Sequence, residues 1–237
     1  MKRILLGLIL LTSILAMTGC LNYSEETWLN QNGSGKLNME IAISEAFMSM
    51  SGQNGEDPFS LEKMQQSFKG AKGVKLISSK SYNKNGNRVM ELMIEFKSLK
   101  SLEAWMSRDN QSGDPGFIGK TTMTKNKKGQ VVYSRVLAFN TESASPNKKG
   151  DETDPNAAMG EEMMTGLFSN YVWQYTIHFP YKVVSANTAN NYIDRKTNTV
   201  RWDLPLSSLA KKPQHMQAVL RPYNFFESIL HALHLYN

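Results

Sequence analysis

Hydrophobic and polar positions alternate with a period of two in several stretches of this chain. Leu37, Met39, Ile41 and Ile43 interleave with Asn38, Glu40 and Ala42, the pattern of a strand with one buried face. With the turn-rich "NGSGK" ahead of it, the stretch 28–43 predicts a β-hairpin. A helix follows: Asp57 caps it, Pro58 opens its first turn, Leu61, Met64 and Phe68 share a face, and Gly70 stops it. A second hairpin is predicted at 74–96, where "NKNGN" turns the chain and Met90, Leu92, Ile94 and Phe96 alternate with Glu91 and Glu95. Ser98 then caps a helix whose Leu99, Leu102 and Met106 form a stripe. A third hairpin spans 117–124 and 131–139 around "NKKGQ". Together these predict an α+β fold, antiparallel β-hairpins alternating with helices on one face.

The pattern changes in the second half. Residues 141–158, "TESASPNKKGDETDPNAA", are polar, proline-containing and aperiodic, and predict a loop or linker. Beyond a short Met-rich segment, Tyr171, Trp173, Tyr175, Ile177 and Phe179 line one face of a strand, and Val200, Trp202 and Leu204 one face of another. Residues 159–221 are therefore expected to form a smaller β-rich unit. Residues 222–237, opening with Pro222, place Phe226, Ile229, Leu230 and Leu233 at helical spacing and predict a short C-terminal amphipathic helix. Such a helix either docks on the domain or lies in a membrane interface.

The chain opens with Lys2 and Arg3, an apolar run from Ile4 to Met17, and "TGC" ending at Cys20. That order is a signal peptide. The run is shorter than the roughly 20 residues needed to cross a bilayer. Cys20 is the only cysteine, so no internal disulfide is available to it. A nucleophilic role would need a base brought to it by the fold. "SILAMTGC" resembles the lipobox of bacterial lipoproteins, with Met17 in the place of the usual leucine. The resemblance implies lipidation of Cys20 and removal of residues 1–19. The domain would then run over 20–140. Several acyl chains on one residue hold a protein to a bilayer where a single chain binds only marginally. With Leu21 rather than aspartate following the cysteine, the expected destination is the outer membrane if the host has two membranes.

Charge is unevenly spread. Between Lys63 and Arg135 there are 15 basic and 5 acidic residues, whereas the stretch from Glu142 to Glu162 is acidic. The basic half suits anionic partners such as lipid headgroups, glycolipids or envelope polymers. It also keeps exposed sheet edges soluble and unpaired. Nucleic acid would be in the wrong compartment. The candidate anionic-ligand contacts are Lys120, Lys125, Lys127, Lys128 and Arg135, gathered on the third hairpin. The aromatic strands, around Trp173 and Trp202, are the candidate contact for an envelope protein partner.

Catalytic motifs are sparse. "GDPGFIGKTT" ends like a phosphate-binding loop, but Asp114 stands where its first glycine belongs and a hairpin follows instead of a helix. "GSGK" at Gly33 to Lys36 is a turn. No nucleophile elbow, zinc-protease helix or calcium-loop spacing is present in the sequence. Glu227, His231 and His234 fall on one side of the last predicted helix, its polar face, where exposed histidines are ordinary. His178 lies opposite the aromatic face of its strand and is expected to meet solvent. No cofactor, metal or enzymatic activity is expected.

Three stretches, "GSGKLNMEIAI", "GVKLISSKSYNKNGNRVMELMIEFKSLKSLEAW" and "WQYTIHFPYKVVSANTANNYIDRKTNTVRWDLPL", resemble LppM-type bacterial envelope lipoproteins. The resemblance implies an α+β extracytoplasmic domain tethered to a membrane, without an assigned activity. That family commonly adds a C-terminal membrane helix, for which this chain has only its short amphipathic end. The expected function is that of a non-enzymatic, lipid-anchored envelope lipoprotein contacting anionic lipid, glycolipid or an envelope partner. The alternatives are an assembly lipoprotein binding another protein through the aromatic strands, and an enzyme acting on envelope polymers.

Overall fold

The structure is a computed structural model that describes residues 21–45, 61–107, 117–139, 171–224 and 227. The strands are β1 (Leu21–Leu29), β2 (Gly35–Ser44), β3 (Val74–Lys84), β4 (Asn87–Phe96), β5 (Phe117–Lys125), β6 (Val131–Phe139), β7 (Val172–His178), β8 (Lys182–Ala186), β9 (Ile193–Asp194), β10 (Thr199–Pro205) and β11 (Gln214–Arg221). Among the described residues three α-helices accompany them, α1 (Leu61–Ser67), α2 (Leu99–Met106) and α3 (Leu206–Lys211), with a 3-10 turn at Asn190–Tyr192. One sheet has seven strands in the order β3-β4-β2-β1-β7-β10-β9, and the other has four in the order β5-β6-β11-β8.

Alternation decides which side chains meet between the sheets, because successive residues of a strand point to opposite faces. On the large sheet Thr27, Leu37 and Ile94 stand side by side in register, as do Glu25, Tyr175 and Trp202. On the small sheet Tyr133, Leu137, Met216, Ala218 and Leu220 face inward. All these apolar side chains belong to one continuous core. Burying a side chain of this size contributes about 1.5–3 kcal/mol, so the two sheets hold each other.

Four of the predicted elements form as the pattern indicates: the three hairpins and the Ser98-capped helix. The Ser98 hydroxyl accepts from the Ser101 amide at 3.1 Å, and the Ser98 amide donates back to the Ser101 hydroxyl at 3.1 Å. Ser101 also donates to the Gly73 carbonyl at 3.1 Å, tying α2 to the start of β3. Trp105 of α2 is buried and stacks on Phe68 with ring centroids 4.6 Å apart. Helix α2 touches β3, β4 and β5 and so closes one side of the sandwich.

The architecture departs from the expectation or extends it in three respects. The described part is mostly β-sheet, and its helices lie at the margins of two packed sheets instead of alternating regularly over one face. The β-rich stretch, whose independence the sequence leaves open, contributes to both sheets, for β7 and β10 extend the first while β8 and β11 complete the second. Strand β7 pairs parallel to β1, and a parallel partner cannot come from a local hairpin, so periodicity alone does not reveal it. The first hairpin also starts earlier, at Leu21, because β1 pairs with β2 over its full length. The predicted linker 141–158 lies outside the described residues, as does the C-terminal helix apart from residues 222–224 and Glu227. Among the described residues no helix is long and apolar enough to cross a membrane.

The strand directions give the sandwich two poles. Strand β1 starts at one with Leu21 and ends at the other with Leu29. The far pole gathers the β1–β2 turn, the ends of β3 and β4 at Val74 and Phe96, and the loop before β10. Arg135 meets Glu25 while Tyr133 reaches Phe179, so β6 runs from the far pole toward the near one. The β5–β6 turn therefore belongs to the far pole.

Candidate functional site

The basic hairpin is built by local chemistry. Asn126 accepts through its side-chain oxygen from the amides of Lys128 at 2.9 Å and Gln130 at 3.0 Å. Gly129 takes φ +74°, the left-handed region where an L side chain is strained. This tight turn fixes Lys127 and Lys128 at the tip, with Lys125 just before it, all three exposed. Lys120 is also exposed but pairs with Val136, toward the opposite end of the strand.

Lys125, Lys127 and Lys128 do not stand alone. The Lys97 amide donates to the Gly73 carbonyl at 2.8 Å, which brings the segment around Lys72 against the entry to α2, where Lys100 sits in the first turn. Helix α2 packs on β5, so exposed Lys72, Lys97 and Lys100 lie at the far pole on the same side of the sandwich as the hairpin tip. The partnered carboxylates Asp194 and Glu227 lie toward the sheet edges opposite β3 and β5. Glu95 stands between Lys36 and Lys75 in the cross-strand register. Asp194 accepts from Thr197 Oγ1 at 2.9 Å and from the Lys196 amide at 2.8 Å, bonds that lower its pKa. Glu227 is clasped by Arg221 and by Lys182 at 2.7 Å, and these partners hold its carboxyl well below the usual range.

Arg135 is not a surface contact. It is 5% exposed on the inner face, and its guanidinium donates to Glu25, itself 1% exposed, at 2.5 Å and 3.3 Å. The guanidinium also lies over Tyr175 at 4.5 Å and Trp173 at 5.3 Å. Burial alone would lower the Arg135 pKa; the Glu25 carboxylate and the neighbouring tyrosines outweigh it, so the net shift is upward. Tyr23 donates to Glu25 at 2.8 Å, and Tyr133 and Tyr175 share a hydrogen bond of 2.8 Å. Burial pushes the Tyr23 and Tyr133 phenols well above their ordinary pKa. This polar cluster joins the two sheets across the core and is inaccessible to a large ligand.

Trp173 and Trp202 are likewise core residues, both buried. Trp173 meets Tyr23 edge-on at 4.9 Å, and Trp202 stacks near Tyr175 and donates to Asn187 at 3.0 Å. The aromatic row packs one sheet on the other, which removes it as an exposed contact for a partner.

The outer face of the large sheet carries an arrangement that sequence reading missed. His178 Nε2 is 2.7 Å from Glu26, its Nδ1 is 2.9 Å from Thr199 Oγ1, and its ring stacks parallel on Trp28 at 5.2 Å. Trp28 is 36% exposed. Register brings the three together, since Trp28 and Thr199 each pair with His178. A carboxylate–imidazole–hydroxyl chain can relay a proton. Here Thr199 also bonds Thr197 at 2.8 Å, and Thr197 bonds Asp194, so the hydroxyl belongs to a longer chain that fastens the loop before β10. The detectable sequence signal was the placement of His178 opposite the aromatic face. Its partners are distant in sequence and left none.

Among the described residues no group of three or more His, Cys, Asp or Glu side chains is placed to hold a metal ion. Glu227 of the predicted Glu227–His231–His234 set is taken up by Arg221 and Lys182, and the two histidines lie outside the described residues. Cys20 also lies outside them.

The fold and these surfaces define a two-sheet β domain with one concentrated basic corner. No family model matches the chain, and no curated protein matches it. Among solved structures, the chain is similar to the folded domain of LppM from Mycobacterium tuberculosis, determined by NMR, with a TM-score of 0.46 and 12% identity. The match covers 89% of this chain and 94% of that one. LppM is also the family that the three sequence stretches resemble. The likeness is one of coarse chain path.

Proposed function

We propose that this chain is a lipid-anchored envelope lipoprotein, extracytoplasmic and non-enzymatic, which holds a rigid β domain beside its membrane and binds anionic envelope material. The observation that carries this reading is the basic corner: exposed lysines from the β5–β6 turn and from the entry to α2 lie at the same pole of the sandwich, on the side where α2 packs on β5. Cys20, directly ahead of β1, supplies the tether. The signal-peptide pattern and the small residues Thr18 and Gly19 before Cys20 support its lipidation.

Burial of Trp173 and Trp202 leaves the protein-partner reading without the surface it relied on. Among the described residues the Glu26–His178–Thr199 chain is the arrangement an enzyme could draw on, and its hydroxyl is also bonded to Thr197.

Cell fractionation tests the tether. The expected result is that the full chain partitions with membranes, carries a mass increase on Cys20, and moves to the soluble fraction as Cys20→Ser. A Cys20→Ser protein that stays with the membrane overturns the reading.

A further inference from the structure

We infer that the basic corner points away from the membrane that holds the lipid, and that its ligand is an extended polyanion standing off that surface instead of the headgroups of the anchoring leaflet. This rests on the proposed lipidation of Cys20. Strand β1 begins at Leu21, so one peptide bond separates the tether from the sandwich and leaves no linker. Leu21 lies at the near pole. From there β1 climbs nine residues to Leu29, and at a rise of about 3.3 Å per residue the far pole stands roughly 26 Å away. Lys72, Lys97, Lys100, Lys125, Lys127 and Lys128 are all at the far pole and all exposed.

Screening sets how far a headgroup field can reach. The Debye length is about 8 Å at physiological ionic strength, so roughly 26 Å is some three Debye lengths. Attraction at that height has fallen to roughly one-twentieth of its surface value. A corner meant for the anchoring leaflet would stand beside Leu21. What stands there is the β3–β4 turn with Lys84 and Arg88, and Lys120 and Lys212 belong to the same half, fewer cations than the far pole gathers. The chemistry shared by candidate ligands is a chain of closely spaced anionic groups, phosphodiester or carboxylate, because six lysines spread over three chain segments match repeated charges better than one compact ion.

The test uses the full, lipidated chain in neutral vesicles and in vesicles with anionic lipid, with long-chain inorganic polyphosphate and polyglutamate as probes across a salt series. Binding to at least one probe is expected, falling with salt and changing less than about threefold between the two vesicle types. Lys125→Glu/Lys127→Glu/Lys128→Glu should weaken it at least tenfold and reduce the log–log salt slope by about two, near 0.7 per lost contact. Lys84→Glu/Lys120→Glu/Lys212→Glu, equal in charge change at the other half, should leave it within about twofold. Loss of probe binding on anionic vesicles, a larger effect from the second triple variant, or no binding to either probe overturns the inference. Polyphosphate against polyglutamate separates phosphate from carboxylate ligands. If Cys20 is not acylated, the chain fails to load on either vesicle, while probe binding in neutral detergent still reports on the corner.

Discussion

Replacing Arg135 by methionine removes the only cation that the described structure shows against the buried Glu25 carboxylate. Methionine keeps much of the side-chain volume, so the loss is electrostatic and not a large cavity. Breaking a buried ion pair at one partner costs about 3–5 kcal/mol, because the remaining charge has neither water nor a counter-ion. The geometry puts this site at the high end: the pair is 5% and 1% exposed, two hydrogen bonds join it, and two aromatic rings flank the guanidinium. For a chain of this length each kcal/mol moves the midpoint by roughly 2–4 °C, so Tm should fall by about 10 °C or more. Urea unfolding at constant m should return the same loss. Adding Glu25→Gln keeps an acceptor for Tyr23 and removes the stranded charge, so the double variant should regain at least about 2 kcal/mol over Arg135→Met. An Arg135→Met protein within about 1 kcal/mol of the parent, or a double variant less stable than the single one, would refute this account of the core.

Other consequences follow from single contacts. At Gly35 an added Cβ would sit 2.2 Å from the Trp28 carbonyl and 2.7 Å from the Phe96 ring, so Gly35→Ala should cost at least about 2 kcal/mol in chemical denaturation; near-neutrality would show that β2 can move. Ser98→Ala removes the cap of α2 and should cost about 1 kcal/mol, with no change in polyanion binding. Tyr82 donates to Glu91 at 2.7 Å, and that bond, with the Glu91 and Glu40 charges, pushes its phenol up to about 12. The folded state thus favours protonated Tyr82, a stabilisation complete below about pH 10 and lost as pH rises through about 12. Ring-carbon chemical shifts should follow that titration, and Glu91→Gln should bring it back toward 10; a midpoint already at 10 in the parent would contradict the contact.

How much of this was legible in the sequence depended on range. Leu37 to Ile43 and Met90 to Phe96 announced their strands by period-two alternation, and the Asn-Gly and Lys-Gly turns fixed their hairpins, since both signals are local. The Ser98 cap was readable for the same reason. The pairing of β7 with β1 was not, because about 140 residues separate the partners and a parallel register leaves no turn to recognise. Strand β11, "QHMQAVLR", was folded into a general β-rich expectation because its alternation is short and interrupted by polar positions.

The candidate site divides along the same line. Lys125, Lys127 and Lys128 are exposed because a turn tip has no interior to offer, and the sequence placed them correctly on the hairpin. Arg135 was misread through its charge. Its parity with Val131, Tyr133 and Leu137 puts it on the inner face, and that parity outranks residue type when a distant carboxylate is available. Glu25 gave no warning, for "YSEET" is polar on both faces. Trp173 and Trp202 were read as sticky surface when they were the packing of a sheet whose partner layer only tertiary structure supplies.

The central claim is that the tether and the basic corner occupy opposite poles, and a height measurement tests it most directly. Cys20 is the only cysteine, so in the lipidated chain a thiol introduced by Lys128→Cys is the single reactive one. Energy transfer from a dye there to acceptors in the bilayer surface should give a separation of about 25 Å or more. A dye within about 10 Å of the bilayer would mean the domain lies with its basic corner on the headgroups, and would contradict the account.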